Sequence, residues 1–134
     1  MEKRWLLSGL ILIVTGIILG AFGAHGLKEV LTNPEKLQSF ETGVRYQMYH
    51  GFGFLAIAAL MHRFTIGSKM SFYFLLTGVL FFSLSIYGLT WSTVVGTEAF
   101  NKVLGPITPI GGLLMILGWT LQIVSVVRTK HPKA

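Results

Sequence analysis

The stretch Phe40–Gly53, FETGVRYQMYHGFG, decides how the rest of this chain is interpreted. It opens an apolar segment, yet it carries charged, amide, phenol and imidazole side chains in close succession. The segments on either side of it are largely apolar runs or short connectors. Polar groups inside an apolar, membrane-type segment are costly and usually face protein, so these side chains are the candidates for function. They are Glu41, Arg45, Tyr46, Gln47, Tyr49 and His50.

The apolar runs around this stretch predict membrane helices. Of the 134 residues, 52% are hydrophobic and only 12% are charged, whereas soluble domains carry about 25% charged residues. A membrane-spanning helix needs about 20 mostly apolar residues. The sequence therefore predicts an all-α, single-domain integral membrane bundle of four transmembrane helices over residues 1–134, with spans at about 5–25, 40–61, 70–92 and 107–128.

Charges in the connecting segments predict the orientation. With four spans, both termini and the middle connector share one side, which holds seven Lys and Arg against four on the other side. Cytoplasmic segments carry an excess of Lys and Arg, so both termini are expected in the cytoplasm and the protein in the cytoplasmic (inner) membrane. The first set is Lys3, Arg4, Arg63, Lys69, Arg128, Lys130 and Lys133, with Glu2; the second is Lys28, Lys36, Arg45 and Lys102, with Glu29, Glu35, Glu41 and Glu98.

Composition also limits the partners. The net charge is +6, and the predicted topology accounts for where the positive charges lie. Since no nucleic-acid recognition motif accompanies them, the expected partner is the lipid bilayer and not nucleic acid. The chain has no cysteine, which excludes disulfides and thiolate metal sites. Met1–Ala24 shares features with a signal peptide, but its apolar run exceeds the usual length of about 7–15 residues, so we expect a retained first helix.

Small residues recur at seven-residue intervals in the predicted spans. Such a period keeps one helix face toward a neighbour, and small residues let helix backbones approach closely. The pattern predicts packing seams within the bundle, and the same faces can support a homo-oligomer. In the third span the repeat is Ser71, Gly78, Ser85 and Ser92. The predicted helix-packing glycines are Gly9, Gly16, Gly20, Gly23, Gly78, Gly111 and Gly118.

Local signals predict where helices begin and which aromatic rings face the interface. Thr32 or Asn33 is expected to cap a helix whose first turn contains Pro34 and which runs to about residue 61. Thr108 and Pro109 are expected as the cap and first residue of the fourth span. Tyr87 and Trp91 are expected near the non-cytoplasmic interface, where amphipathic rings collect.

The polar side chains of the central stretch divide between two faces of a helix. Glu41, Arg45 and Tyr49 share one face, while Tyr46, Gln47 and His50 share another. Glu41 and Arg45 are four residues apart and can pair. Since the first span ends on the same side of the membrane, His25 can approach them. We expect one polar network at the outer end of the bundle, formed by His25, Glu41, Arg45, Tyr46, Gln47, Tyr49 and His50.

Three interpretations of this cluster compete. It can be a hydrogen-bonded network that fixes helix packing, a path or pocket for a small solute or proton, or a metal or catalytic site. His25, Glu41 and His50 are acceptable metal ligands, but neither HxxxH nor HExxH spacing is present. We therefore predict no catalytic residue, no metal and no cofactor.

Three separate motifs resemble a known family. They are GAFGAHGL at 20–27, YQMYH at 46–50, and TPIGG at 108–112 followed by Gly118-Trp119. In this order they are similar to the YgdD/YwdK-like family of small bacterial inner-membrane proteins of unknown function, which has eukaryotic transmembrane relatives. The resemblance implies a four-helix membrane protein and no particular activity.

The sequence thus predicts a small polytopic membrane protein that is non-enzymatic and has a structural or interaction role. The alternative is a small-solute or proton transporter or channel that uses the polar cluster near Gln47 and His50.

Overall fold

The computed structural model describes residues 1–64, 66–97 and 100–129, and the regular elements in these ranges are all helical, which confirms the predicted class. Glu98, Lys130 and Lys133, which enter the charge count above, lie outside the described residues. The elements are α1 (Glu2–Phe22), a π-helical turn (Gly23–Leu27), α2 (Lys28–Val30), α3 (Pro34–Leu60), α4 (Lys69–Val94) and α5 (Asn101–Arg128).

Three helical stretches are long and apolar enough to cross a membrane, namely Glu2–Val30, Lys69–Val94 and Asn101–Arg128. Their outer faces expose large apolar side chains, such as Ile18, Ile116 and Val127 at 62%, 65% and 77%. This exposure suits lipid, which solvates apolar side chains at no cost. The remaining long helix, α3, has 27 residues and is about 40 Å long at the standard rise, but charged side chains occupy its first half.

Helix α3 begins where the sequence predicts. The side chain of Asn33 accepts hydrogen bonds from the backbone nitrogens of Glu35 and Lys36, at 2.9 and 3.3 Å. Pro34 occupies the first helical position, where a missing N–H costs nothing. Asn33 is therefore the cap, and the helix runs through to Leu60.

The prediction for the start of the fourth span is wrong. Helix α5 begins at Asn101, and both Pro106 and Pro109 lie inside it. A proline inside a helix removes one backbone hydrogen bond, a loss that a neighbouring helix can compensate. Helix α4 packs along this part of α5: Ser92 Oγ donates to Asn101 Oδ1 at 2.8 Å, and the hydroxyls of Ser85 and Thr108 are 2.7 Å apart.

Helices α1 and α3 pack antiparallel along the glycine face of α1. A β-carbon built at Gly9 would lie 2.9 Å from the carbonyl oxygen of Gly51, and one at Gly16 would lie 2.7 Å from Met48 Sδ. Toward the π-helical turn, one at Gly23 would meet the ring of Phe40 at 2.8 Å. These three glycines are buried and leave room for α3, as the seven-residue period predicts.

Gly20 differs from the other predicted packing glycines of α1. It is only half-buried, and a β-carbon there would have Val44 Cγ1 at an ordinary 3.5 Å. The GxxxG motif of Gly16 and Gly20 therefore has one tightly packed member, Gly16.

Helices α4 and α5 form a second antiparallel pair with a regular seam. Every seventh residue of α4 meets every seventh residue of α5 in reverse order, and all four positions on α4 are buried. The contacts Ser85–Thr108 and Ser92–Asn101 are two rungs of this seam. A third rung is Ser71 Oγ, which donates to Gln122 Oε1 at 3.2 Å, and the fourth is the close approach of Gly78 to the backbone of Met115. The four rungs are Ser71–Gln122, Gly78–Met115, Ser85–Thr108 and Ser92–Asn101.

Two apolar clusters flank the central polar residues of α3. One lies near the start of α1, where the rings of Trp5 and Phe54 are 4.8 Å apart and those of Trp5 and Phe72 are 5.1 Å apart. The other contains Leu27, Leu31 and Phe40 at the opposite end of α1. The polar side chains between them therefore lie within the bundle and away from its ends.

Candidate functional site

Gln47 is buried where α3 faces both α1 and α4, with 4% of its surface exposed. Its Nε2 donates to the carbonyl oxygen of Leu12 at 2.9 Å and to Thr15 Oγ1 at 2.8 Å. Its Oε1 accepts from the Tyr87 hydroxyl at 2.8 Å. Both N–H groups of the amide and its carbonyl are therefore paired, and one side chain joins three helices.

His50 lies one turn further along α3 and faces α5. It is 6% exposed. Its Nδ1 lies 2.8 Å from the carbonyl oxygen of Tyr46, and its Nε2 lies 3.1 Å from Trp119 Nε1. A carbonyl only accepts and an indole nitrogen only donates, so both bonds form when the imidazole is neutral and carries its proton on Nδ1. In that tautomer His50 donates to its own helix and accepts from α5.

Further contacts hold α3 against α4 around these residues. Ser83 Oγ donates to the carbonyl oxygen of Gly43 at 2.9 Å. The ring of Tyr46 lies 4.8 Å from that of Phe82. Gly43 makes this approach possible, because a β-carbon there would lie 2.9 Å from the Tyr87 ring. The middle of α3 is thus bonded to α1, α4 and α5 at successive turns.

The structure divides the predicted polar network. Glu41, Arg45 and Tyr49 are exposed, and within the described ranges Glu41 and Arg45 form no ion pair with each other. His25 is also exposed, and its Nδ1 lies 3.3 Å from the carbonyl oxygen of Ala21 in its own helix. The single network expected from the sequence is therefore not formed, because helix α3 turns these side chains away from Gln47 and His50.

The sequence did not identify three residues that form hydrogen bonds with the buried side chains of Gln47 and His50. Thr15 and Trp119 lie on other helices, and no local pattern joins them to α3. Tyr87 was expected near the non-cytoplasmic interface on account of its amphipathic ring, and its hydroxyl donates to Gln47 Oε1 inside the bundle. The spacing of Tyr87 and Ser83 could have indicated an inward-facing Tyr87, because the two residues are four apart and share one face of α4.

In the described ranges no three His, Asp or Glu side chains lie close enough to hold a metal ion. A cavity of about 300 Å³ between α1 and α4 reaches Gln47. Its walls are mostly aliphatic, and the hydroxyl of Thr15 in its lining donates to a carbonyl of its own helix at 2.7 Å. The site therefore joins helices and presents no free nucleophile to this cavity.

An all-helical chain with three stretches suited to a membrane and lipid-compatible outer faces is an integral membrane protein by class. Comparison with known proteins agrees. The chain belongs to the family described as "Protein of unknown function (DUF423)", whose family model matches residues 19–112.

Named relatives extend over nearly the whole chain. A UPF0382 membrane protein of Staphylococcus haemolyticus is 37% identical over 92% of this chain and 94% of its own length. The UPF0382 membrane protein YwdK of Bacillus subtilis is 36% identical over 94% of this chain and 98% of its own. A UPF0382 membrane protein of Schizosaccharomyces pombe is 36% identical over 83% and 93%. The resemblance to the YwdK-like family, with eukaryotic relatives, is confirmed. No solved structure matches the chain.

Proposed function

We propose that this protein is a non-enzymatic scaffold of the cytoplasmic membrane, built from four spanning helices with both termini in the cytoplasm. The observation that carries the proposal is the complete pairing of Gln47 and His50, which are buried and bonded to three neighbouring helices. Interhelical hydrogen bonds of this kind stabilise helix association in lipid, by about 0.6 kcal/mol each on average. Groups committed to such bonds are suited to holding helices in register.

Four spans are supported by the connectivity of the long helices. Helix α3 packs antiparallel to α1 and is long enough to cross the bilayer, so it returns the chain to the side where it started. The buried half of α3 contains Phe54 and Ile57, which line the same apolar cluster as Trp5 of α1. The charged half then lies at the non-cytoplasmic interface, where Glu41 and Arg45 reach headgroups.

Single cysteines test this topology, since the chain has none of its own. They are placed at Thr32 and Lys102 in the proposed outer segments, and at Arg63 and Thr129 in the proposed cytoplasmic ones. A membrane-impermeant maleimide added to intact cells should label the first two only. Labelling of Arg63→Cys or Thr129→Cys before lysis would overturn the orientation, and labelling of only one outer site would overturn the four-span arrangement.

A transporter or channel for a small solute or proton is the second candidate, and the cavity that reaches Gln47 favours it. Its aliphatic walls and the pairing of Gln47 make it the weaker one. Proteoliposomes with an internal pH dye, subjected to a proton gradient, should match empty liposomes. Proton flux that is present in the native protein and lost in Gln47→Leu would support transport and contradict the scaffold.

Self-association is proposed to use other surfaces than the small-residue faces. The structure fills those faces within one chain: Gly9, Gly16 and Gly23 against α3, and Gly78, Gly111 and Gly118 within the α4–α5 pair. Contacts between copies are proposed to use the large apolar side chains of the lipid-facing surface.

A further inference from the structure

Two charged residues of α3 line a pocket at the end of α1. The pocket has a volume of about 270 Å³ and lies between the last turn of α1, the π-helical turn and the first half of α3. Its lining combines two charged side chains with small and apolar ones: Gly20, Gly23, Ala24, Phe40, Glu41, Val44 and Arg45.

The glycines of α1 create this space. Near the start of α1 the two helices are in backbone contact, with 2.9 Å between the Gly51 carbonyl oxygen and a β-carbon built at Gly9. At Gly20 the corresponding approach is 3.5 Å, to a side-chain methyl of Val44. The gap between α1 and α3 is therefore wider at Gly20 than at Gly9, and the pocket lies in this wider part.

The charges in this pocket have no ion-pair partner among the described residues. Glu41 and Arg45 are exposed, and within residues 1–64, 66–97 and 100–129 neither forms an ion pair. Charged side chains near the hydrocarbon boundary are stable when they are paired, with each other or with another charged group. A carboxylate binds a primary ammonium, and a guanidinium binds a phosphate through two parallel hydrogen bonds.

We propose that this pocket binds a phosphate–ammonium zwitterion, supplied by the headgroup of an ethanolamine phospholipid. The phosphate lies on Arg45, and the ammonium lies on Glu41, one helical turn away. Val44, which is half-buried, provides apolar surface beside the charges, along which the first part of an acyl chain runs. The pocket is open to the outer surface of the α1–α3 pair, where a lipid can enter from the side.

The concave shape favours a headgroup over a second copy of this chain. A headgroup that carries both a phosphate and an ammonium can pair with Arg45 and Glu41 of this pocket at the same time. Pairing of Glu41 of one copy with Arg45 of another is the competing explanation for the two unpaired charges, and the experiment below separates the two.

The test measures lipid binding to the purified, delipidated protein by native mass spectrometry. Dioleoyl phosphatidylethanolamine, phosphatidylglycerol and phosphatidylcholine are titrated in the same detergent. The ethanolamine lipid should bind most tightly. Because a hydrogen bond to a charged group is worth about 1.5–3 kcal/mol, Arg45→Gln should weaken its binding about tenfold or more.

Glu41→Gln separates the two halves of the headgroup. It should reduce the preference for the ethanolamine lipid over phosphatidylglycerol, while phosphate binding through Arg45 persists. Glu29→Gln and Lys102→Gln, which change exposed charges outside this pocket, are the matched controls and should leave both affinities unchanged. The charge-swapped variant with Glu41→Arg and Arg45→Glu keeps the net charge and should lose the lipid preference without loss of thermal stability.

Soluble phosphoethanolamine identifies the source of the zwitterion. If soluble phosphoethanolamine displaces the lipid only at a large excess, the natural ligand is the lipid. If it displaces the lipid at equal concentration, the natural ligand is the free molecule. Both results support a site for a phosphate–ammonium zwitterion. Equal binding of all lipids by the native protein and by both pocket variants would overturn the proposal. Disulfide formation between Glu41→Cys of one copy and Arg45→Cys of another in native membranes would overturn it in favour of pairing between copies.

Discussion

The two antiparallel pairs, α1–α3 and α4–α5, use the same seven-residue spacing in different ways. On α1 the glycines remove side chains so that larger ones of α3, such as Met48 and Phe40, fill the space. On α4 three serines bond to polar side chains of α5 across the seam, and Gly78 lies against the backbone of α5. From Gly16 to Gly23 the first seam is a set of spaces filled by side chains of α3, and the two backbones approach each other near Gly9 and Gly51. In the second seam the two backbones approach each other at both Gly78 and Gly111.

This difference predicts how each seam responds to added volume. A side chain can change rotamer to make room, whereas a backbone segment moves only with its helix. Substitution of Gly111 in α5 should therefore destabilise the protein more than substitution of Gly16 in α1, where a side chain and not a backbone lies opposite.

The largest effect is expected at Gly111. A β-carbon there would lie 2.9 Å from the Phe82 Cα and 2.8 Å from the Gly78 carbonyl oxygen, and it would also meet the Phe82 backbone nitrogen. Gly111→Ala should lower the free energy of unfolding in mixed micelles by about 1–3 kcal/mol, the usual range for overpacking.

The neighbouring residue provides a matched control for Gly111. A β-carbon at Gly112 would have one neighbour, a ring carbon of Phe82, at 4.0 Å. Gly112→Ala should therefore be neutral or stabilising, because alanine favours helix by up to about 1 kcal/mol over glycine. Equal losses at the two positions would show that α4 and α5 are not in backbone contact.

A smaller loss is expected on α1. At Gly16 the nearest atom to a β-carbon is Met48 Sδ at 2.7 Å, and the unbranched methionine side chain can move aside. Gly16→Ala should cost about 1 kcal/mol or less in the same assay. Gly20→Ala, four residues away on the same face, should cost nothing. A loss at Gly16 as large as at Gly111 would remove the distinction between the two seams.

The smallest single-site effect is expected for one rung of the α4–α5 seam. Ser85→Ala removes the hydroxyl that lies 2.7 Å from Thr108 Oγ1, and interhelical hydrogen bonds in membranes contribute about 0.6 kcal/mol on average. Thr120→Ala is the control, since the Thr120 hydroxyl is exposed and, among the described residues, bonds only to the Ile116 carbonyl oxygen of its own helix. Equal losses for Ser85→Ala and Thr120→Ala would mean that the rung adds nothing to helix pairing.

Much of this fold can be predicted from local sequence. The helices, the Asn33 cap and most packing glycines follow from apolar runs, a capping residue and a repeating period. The start of α5 could not be predicted from local signals, because Pro106 and Pro109 disfavour a helix interior, whereas the packing of this part of α5 on α4 depends on how the helices are placed. Local preference was overridden by a tertiary contact.

The candidate site was predictable in part. The sequence singles out Gln47 and His50 as polar groups in an apolar segment, and both are buried. It groups them with Glu41 and Arg45, because helical periodicity specifies which residues share a face but not which face meets protein. The partners on other helices, Thr15 and Tyr87, depend on the relative placement of helices, which one sequence does not specify.

The central claim is that buried hydrogen bonds of α3 join the two helix pairs, and a double-mutant cycle on Gln47 and Tyr87 tests it most directly. Gln47→Leu, Tyr87→Phe and the double variant are compared by free energy of unfolding in mixed micelles. A second cycle with Glu41→Gln and Arg45→Gln is the control, because these two side chains form no pair. We predict a coupling energy of about 0.6–1.7 kcal/mol for the first pair and additive effects for the second. Additive effects at Gln47 and Tyr87 would contradict the account.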